Sequence, residues 1–153
     1  TVVYPYHKKS RLNYIDRSTG EILKSGRTVT ASDMSDFFIE LYRIKQYLSD
    51  PNLTICIADI AVENLRYCAK DMKRRKSDRK VTVPTSLLQL TYLEDSDSYR
   101  CFIPEGLPET FTLKEFKKRM RSGDASIAIR ILLYVGVIDY AGKLGNEYLY
   151  RIT

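Results

Sequence analysis

LLYVGVIDYAGKLGNEYLYRI, residues 132–152, is the stretch of sequence that decides the fold of the last third of this chain. Gly136 follows a continuous apolar run, at the position where a helix commonly ends in a left-handed residue. Two strand-like segments, Val137–Ala141 and Glu147–Ile152, then flank a tip that is bracketed by glycines. Short apolar and aromatic segments around such a tip are typical of a β-hairpin. The stretch therefore predicts the end of a helix followed by a hairpin.

Two helices are predicted immediately before the hairpin. Thr112 and Glu115 have the spacing of a capping box, in which each side chain binds the backbone amide of the other residue. Asp124 is placed to cap a second helix, Ala125–Val135. Over residues 108–153 the predicted order is therefore helix, short turn, helix and hairpin.

This C-terminal segment resembles the ending of bacterial winged-helix regulators, in which a helix closes with glycine, a hydrophobic residue and isoleucine, and a hairpin carries a basic tip. The resemblance implies that the helix Asp124–Val135 enters the major groove of DNA and that Lys143, at the wing tip, contacts phosphate. On that helix Ser126, Arg130 and Tyr134 are the residues polar enough to face a base edge. We therefore expect contacts with the DNA backbone and little reading of sequence.

Basic residues surround the helix that precedes this reading helix. They are Lys114, Lys117, Lys118, Arg119 and Arg121. We expect them to bind phosphates. A protein–protein assembly module is an alternative function, because Ile129 and Leu133 are expected to remain partly exposed on the reading helix, where a partner could cover them.

A second basic segment lies between residues 70 and 80, in a chain whose formal net charge is +6 and whose isoelectric point is near 9.2. There, Asp71 and Asp78 are opposed by Lys70, Lys73, Arg74, Arg75, Lys76, Arg79 and Lys80. Such a density of positive charge suits a polyanion. A solvated surface loop is the alternative interpretation.

The N-terminal part of the chain predicts a mixed sheet packed on one long helix. β-Branched and aromatic residues on both sides of Asp16–Gly20 indicate a hairpin. Apolar residues at spacings of three and four predict a helix from Met34 to Leu48, which Pro51 ends. Leu53–Ala58 has the continuous apolar character of a buried strand, and Pro84–Leu88 fits a helical turn.

Two further segments complete this part of the chain. Ile60–Cys68 fits a strand or a helix, and Lys80–Val83 fits a short strand. The predicted fold class is α+β, with a small mixed β-sheet packed on one long helix and followed by a C-terminal winged-helix-like module. We expect a basic α/β domain over residues 1–100 and the winged-helix-like module over residues 101–153.

A catalytic alternative depends on three carboxylates. Glu40 on the long helix, Asp59 after the buried strand and Glu63 beyond it form a layout that resembles PD-(D/E)XK nucleases. That resemblance implies carboxylates that hold Mg²⁺ for phosphodiester cleavage and a lysine near the attacking water. Glu63 lacks the acid-x-Lys spacing of that family, because Arg66 lies three positions on instead. Arginine stays protonated, so it is suited to holding a phosphate but is a poor proton acceptor. The leading expectation is therefore a non-enzymatic protein with no metal site and no cofactor.

Cysteine usage and the start of the chain bear on localisation. Cys56, Cys68 and Cys101 are an odd number without a CxxC pair, which favours reduced thiols and a cytoplasmic protein. A hydrophobic signal segment is not expected, and no apolar run reaches the roughly 18 residues that cross a bilayer. We therefore expect no membrane partner.

Three short segments are similar to segments of uncharacterised bacterial proteins. They are Tyr4–Tyr6, Tyr14–Ile22 and Phe102–Pro108. This likeness implies a bacterial or mobile-element origin. The leading hypothesis is a DNA-binding protein that acts as a regulator or as a mobile-element or defence component. Its expected partner is double-stranded DNA, and a homodimer is a further expected form of association.

Overall fold

A computed structural model describes residues 1–68, 79–120 and 124–153 of the chain. Within these residues the chain forms two compact units that interleave along the sequence. The sheet unit consists of Pro5–Ala31 and Ile57–Thr91, and the helical unit consists of Thr1–Tyr4, Ser32–Cys56 and Tyr92–Thr153. The domain boundary expected near residue 100 stays a prediction, because these units are defined by contacts and not by independent folding.

Four long strands form the first sheet, in the order β2-β1-β3-β4. They are β1 Val2–Asp16, β2 Ile22–Thr30, β3 Ile55–Cys68 and β4 Arg79–Leu93. β1 and β2 are antiparallel. A hydrogen bond from Val2 N to Thr54 O (2.8 Å) joins the starts of β1 and β3. Another from Arg17 N to Cys68 O (2.9 Å) joins their ends, so these two strands run parallel.

The predicted hairpin between β1 and β2 is confirmed. Its turn is held by Asp16, whose Oδ1 accepts hydrogen bonds from the backbone amides of Ser18 (2.7 Å) and Thr19 (3.2 Å). Aspartate commonly stabilises a turn in this way, by binding amides two and three residues further on. Gly20 follows with φ 74°, a left-handed conformation that glycine adopts without a steric penalty.

β2 is an irregular edge strand. Its register with β1 shifts twice, and at each shift β2 has one residue more than β1. At the first shift Gly26 lies so close to Leu12 that a Cβ at position 26 would be 2.9 Å from the Leu12 carbonyl oxygen. This close approach explains why the bulge contains glycine.

β3 and β4 are much longer than the sequence predicted. Ile60–Cys68, which fitted a strand or a helix, is the second half of β3. The prediction of a helical turn at Pro84–Leu88 is wrong, because this segment lies within β4. Proline is accepted there because β4 is at the edge of the described sheet, where an amide is not required on the outer side.

Side chains also join β3 to β4. Thr82 Oγ1 donates a hydrogen bond to Asn64 Oδ1 (2.8 Å). Thr85 Oγ1 donates to Ala61 O (3.1 Å). Residue 82 of β4 therefore contacts residue 64 of β3, and the later residue 85 of β4 contacts the earlier residue 61 of β3. These two strands are antiparallel.

The helix predicted over residues 34–48 is shorter than expected. α1 spans Ser35–Arg43, and a single 3-10 turn, Lys45–Tyr47, follows it. Lys45 Nζ lies over the Tyr42 ring, 4.4 Å from its centre. This contact joins the last turn of α1 to the first residue of the 3-10 turn.

Aromatic residues form the core around α1. Phe37, Phe38 and Leu41 are buried on one side of the helix. The Phe102 ring lies 5.7 Å from the ring of Phe37 and 5.1 Å from the ring of Phe38. Aromatic pairs at these distances pack favourably when their rings are tilted, as they are here. The predicted apolar stripe of this helix is therefore confirmed over its first turns.

The remaining elements of the helical unit are a 3-10 turn Asp97–Phe102, β5 Thr110–Thr112, α2 Leu113–Arg119, α3 Ala125–Tyr134, β6 Ile138–Leu144 and β7 Glu147–Ile152. The three strands form a second sheet in the order β5-β7-β6. The predicted capping box is confirmed, since Thr112 N donates to Glu115 Oε2 (2.8 Å) and Glu115 N donates to Thr112 Oγ1 (3.3 Å). Asp124 caps α3, and Gly136 has φ 78°, also as predicted. The β6–β7 hairpin is confirmed.

The predicted fold class is nevertheless wrong. Strands contain 49% of the described residues and helices 25%. The structure has two sheets and short helices, in place of a small sheet packed on one long helix and followed by a winged-helix-like module. The sequence misled because Ile60–Cys68 fits a helix as well as a strand and Pro84–Leu88 has the character of a helical turn, although both segments lie in long strands. Within the described residues, the helices are too short or too polar to span a membrane.

Candidate nucleic-acid interface

Positive charge is unequally distributed between the two units. The sheet unit contains fourteen lysines and arginines and six aspartates and glutamates, so its formal net charge is +8. The helical unit contains eleven and thirteen, so its formal net charge is −2. The excess positive charge of the chain therefore belongs entirely to the sheet unit, which is the unit that a polyanion would approach.

One face of β1 presents a row of basic side chains, which we call the basic row. It consists of His7, Lys9 and Arg11, all of which are exposed. Alternate residues of a strand project from the same face, and five residues span about 13 Å. A duplex carries one negative charge for every 1.7 Å or so of its axis, so a row of this length faces several phosphates.

A shallow depression of about 170 Å³ lies beside the basic row. Lys9 and Arg11 line it from β1, Thr28 from β2, Glu63 from β3 and Thr85 from β4. Thr28 is the register partner of Arg11 on the neighbouring strand. Two cations and a threonine hydroxyl are groups that bind phosphate oxygens. The half-buried Glu63 is the counter-charge in the same depression.

Most of the predicted basic segment lies outside the described residues. This holds for Lys70, Lys73, Arg74, Arg75 and Lys76. Arg79 is the first residue of β4, and Lys80, next to it, is exposed. The segment belongs to the sheet unit by sequence range, so its charge contributes to the +8 of that unit. Its contact with nucleic acid stays a prediction.

The predicted phosphate-binding residues of α2 lie in the helical unit, which has a net negative charge. Those exposed on α2 are Lys114, Lys117, Lys118 and Arg119. Arg121 lies outside the described residues, as do Ser122 and Gly123 of the turn expected over Ser122–Asp124. Lys114 forms an ion pair with Glu147, whose hydrogen bond and charge raise the pKa of the Lys114 ammonium group. Phosphate would therefore compete with Glu147 for this lysine.

α3 does not present the polar face that base reading requires. Ser126 is half-buried, and its hydroxyl donates to the capping carboxylate at 2.6 Å. Ile129 was expected to be partly exposed, and this is wrong, because only 2% of its surface is exposed. α3 packs against α1, α2 and β6 at once, so most of its circumference is covered. Leu133 is half-buried, and Arg130 and Tyr134 are exposed.

Arg130 contributes to a small cationic cluster around Tyr42. Arg130 Nη1 and Lys45 Nζ each lie 3.4 Å from Tyr42 Oη. Their hydrogen bonds lower the pKa of the Tyr42 hydroxyl, with Arg130 as the larger cause. Lys143, the predicted wing-tip residue, is exposed on β6, with its Nζ 4.9 Å from the centre of the Tyr148 ring. Contact of Arg130 or Lys143 with DNA stays a prediction.

The three carboxylates of the nuclease hypothesis have ordinary surroundings. Glu40, in the helical unit, forms an ion pair with Arg43 at 2.5 Å. Asp59 and Glu63 lie four residues apart on β3, a separation of about 13 Å that is too long for one metal ion with ligands at about 2–2.6 Å. In the part of the chain that the structure describes, no three histidines, cysteines or carboxylates are grouped closely enough to hold a metal ion. The nuclease hypothesis therefore gains no support from the described residues.

The basic row was overlooked in the sequence, although its signal was present. His7, Lys9 and Arg11 alternate with a period of two, which is the period of a strand. Their charge density is lower than that of residues 70–80, and the row becomes distinctive only when β1 is known to be an inner strand of an exposed sheet.

Comparison with known proteins gives a family match. The family described as a domain of unknown function (DUF8091) matches residues 1–94. This range covers more than half of the 153 residues and contains the whole sheet unit. No curated protein and no solved structure in the comparison matches the chain.

Proposed function

We propose that this chain, which belongs to the DUF8091 family, binds nucleic acid through the face of its sheet unit that carries the basic row. The observation that carries the proposal is the formal net charge of +8 on that unit, against −2 on the helical unit. Neutralised phosphates release counterions, and this release supplies most of the affinity of a basic surface for nucleic acid. The charge is concentrated in residues that fall within the family match.

The contacts in this proposal are to the sugar–phosphate backbone. Lys9, Arg11 and Thr28 line one depression and are suited to phosphate oxygens. The outer strands of a four-stranded sheet are about 14 Å apart, which is wider than the major groove of about 12 Å. The sheet therefore lies across the backbone and does not enter the groove. Little discrimination between sequences is expected.

A pair of matched double variants tests the proposal. Lys9→Gln with Arg11→Gln removes two positive charges from the sheet unit. Lys117→Gln with Lys118→Gln removes two exposed positive charges from α2. Two phosphate contacts contribute about 30-fold in affinity at about 0.15 M salt, so the sheet variant should bind a short labelled duplex about 30-fold more weakly. The α2 variant should stay within about twofold of the wild type.

Fluorescence anisotropy with a labelled duplex of random sequence measures both variants. Equal losses in the two variants, or a loss confined to the α2 variant, would contradict the assignment of the interface to the sheet. Unlabelled double-stranded DNA, single-stranded DNA and single-stranded RNA of equal length serve as competitors. Duplex DNA is the partner that we propose. If the RNA competitor displaces the labelled duplex more effectively than unlabelled duplex DNA does, then RNA is the partner instead.

The proposal is of a binding protein and not of an enzyme. Labelled DNA should therefore remain intact during incubation with Mg²⁺ or Mn²⁺, and cleavage that follows the protein through purification would contradict this. We further propose a cytoplasmic regulator or a mobile-element or defence component. Cys56, Cys68 and Cys101 are free thiols, which supports a reducing compartment.

A further inference from the structure

We propose that β4 is the edge at which this protein associates with itself, by pairing antiparallel with β4 of a second copy. β4 is an outer strand in the described sheet order. Its nine successive residues Thr82–Leu90 are all exposed. Leu87 is 59% exposed, and Leu88 and Leu90 are each 42% exposed. An exposed, long and apolar edge strand is a template for pairing with another strand.

The other edge of the sheet, β2, is protected against such pairing. It carries Lys24 and Arg27, and its register with β1 shifts twice. Charged side chains and bulges are the features by which natural sheets prevent association at an edge. β4, by contrast, contains no charged residue from Val81 to Thr91. The difference between the two edges selects β4 as the interface.

Pro84 determines which residues of β4 are able to pair. Proline has no amide hydrogen, so within a strand its nitrogen faces away from the neighbouring strand, here β3. Alternate residues present their amides to the same side, so Ser86, Leu88 and Leu90 also face outward. An antiparallel pairing centred on Leu88 uses these three residues of each copy and forms about six main-chain hydrogen bonds. Pro84 then lies just beyond the paired stretch.

The distribution of charge favours a second copy as the occupant. An uncharged strand offers no ion pair to a polyanion, whereas it can lie against an identical uncharged strand without repulsion. In the paired sheet the basic rows of the two copies are five strand spacings apart, or about 24 Å. Charges at this distance are largely screened at physiological salt, where the Debye length is about 8 Å. Two units of net charge +8 can therefore associate through β4.

Symmetry determines the side-chain contacts across the interface. A two-fold axis perpendicular to the sheet places Leu88 opposite Leu88 of the second copy. Leu90 of one copy lies diagonal to that leucine, within reach of its side chain. The two basic rows face the same side of one continuous sheet. The self-association does not depend on the proposed function, because it involves neither nucleic acid nor a basic residue.

Sedimentation velocity of the full chain, without nucleic acid, tests the proposal. The wild type should sediment at twice the chain mass of 17.7 kDa as its concentration rises. Leu88→Lys places two positive charges opposite each other and removes the leucine contact, so it should weaken the dimer on the order of 100-fold. Val29→Lys, at a 61% exposed position on β2, should leave the dimer unchanged. A wild type that stays monomeric, or a dimer lost only with Val29→Lys, would overturn the proposal.

A charge-pairing experiment separates loss of the interface from loss of the fold. Leu88→Lys and Leu88→Glu should each be monomeric, with the far-ultraviolet circular dichroism of the wild type. Mixed in equal amounts, they should form a dimer, because the central pair is then oppositely charged. A mixture that remains monomeric would overturn the antiparallel pairing centred on residue 88. DNA binding by the monomeric variants would still test the proposed function separately.

Discussion

Ile129→Ala is the substitution whose effect on stability follows most directly from the packing of α3. Ile129 is 2% exposed on a helix that packs against α1, α2 and β6. The substitution removes three carbon atoms, which corresponds to about 2.4 kcal/mol of lost transfer free energy at about 0.8 kcal/mol for each buried carbon. A cavity in a packed core adds to this loss. We therefore expect the free energy of unfolding to fall by about 3 kcal/mol.

Urea unfolding followed by circular dichroism measures this change. With a slope of about 1–3 kcal/mol per M of urea, a loss of about 3 kcal/mol lowers the unfolding midpoint by at least 1 M or so. Leu133→Ala is the matched control on the same helix, and its half-buried side chain should give a smaller shift. If the two units unfold in separate transitions, the midpoints of the two variants are compared for the unfolding of the helical unit, which contains α3.

A shift of less than about 0.5 kcal/mol for Ile129→Ala would refute the reasoning, because that is the usual effect of a substitution at the surface. It would mean that Ile129 is exposed, as the sequence alone suggested. Ile129 would then again support the alternative that the chain is a protein–protein assembly module. An equal shift for Ile129→Ala and Leu133→Ala would contradict the described orientation of the helix.

Two further predictions concern local structure. Gly26→Ala should destabilise the sheet unit by about 1–3 kcal/mol, because the new Cβ would be 2.9 Å from the backbone oxygen of Leu12; an unchanged urea midpoint would contradict the described bulge. Hydrogen bonds from Thr112 lower the pKa of Glu115, so the stabilisation by this carboxylate is present above its ordinary pKa of 4.5 and is lost as the pH falls through the lowered value. The stability difference between the wild type and Glu115→Gln should therefore be constant at neutral pH and shrink in acid, whereas a difference that grows in acid would contradict the capping box.

Local signals in the sequence were sufficient for the ends of elements. The capping box of Thr112 and Glu115, the cap at Asp124 and the left-handed Gly136 depend on residues within a few positions of each other, and all are confirmed. Such features are encoded by short-range hydrogen bonds and by backbone sterics. They do not depend on contacts with residues that are distant in the sequence.

Long-range features could not be predicted in the same way. Pro84–Leu88 has the local character of a helix start, but pairing with β3 makes it a strand. The helix over residues 34–48 shortens, and its last part becomes a 3-10 turn in contact with Tyr42. Ile129 is buried because three elements meet around α3, which its own helical pattern does not show. Tertiary contacts outweigh local propensity at Pro84–Leu88 and at Ile129.

The candidate interface shows the same limit. The dense basic segment at 70–80 was visible in the sequence, whereas the basic row needed knowledge of the strand order. The division of charge into +8 and −2 depends on which distant segments belong to one unit, and the units interleave along the chain. This division cannot be read from consecutive residues.

The salt dependence of binding tests the assignment of the interface to the sheet unit most directly. Each phosphate contact contributes about 0.9 to the slope of log Kobs against log salt concentration for a duplex. Lys9→Gln with Arg11→Gln should therefore reduce the magnitude of the slope by about 1.8, and Lys117→Gln with Lys118→Gln, which changes the net charge equally, should leave it unchanged. A reduced slope in the α2 variant together with a wild-type slope in the sheet variant would contradict the account.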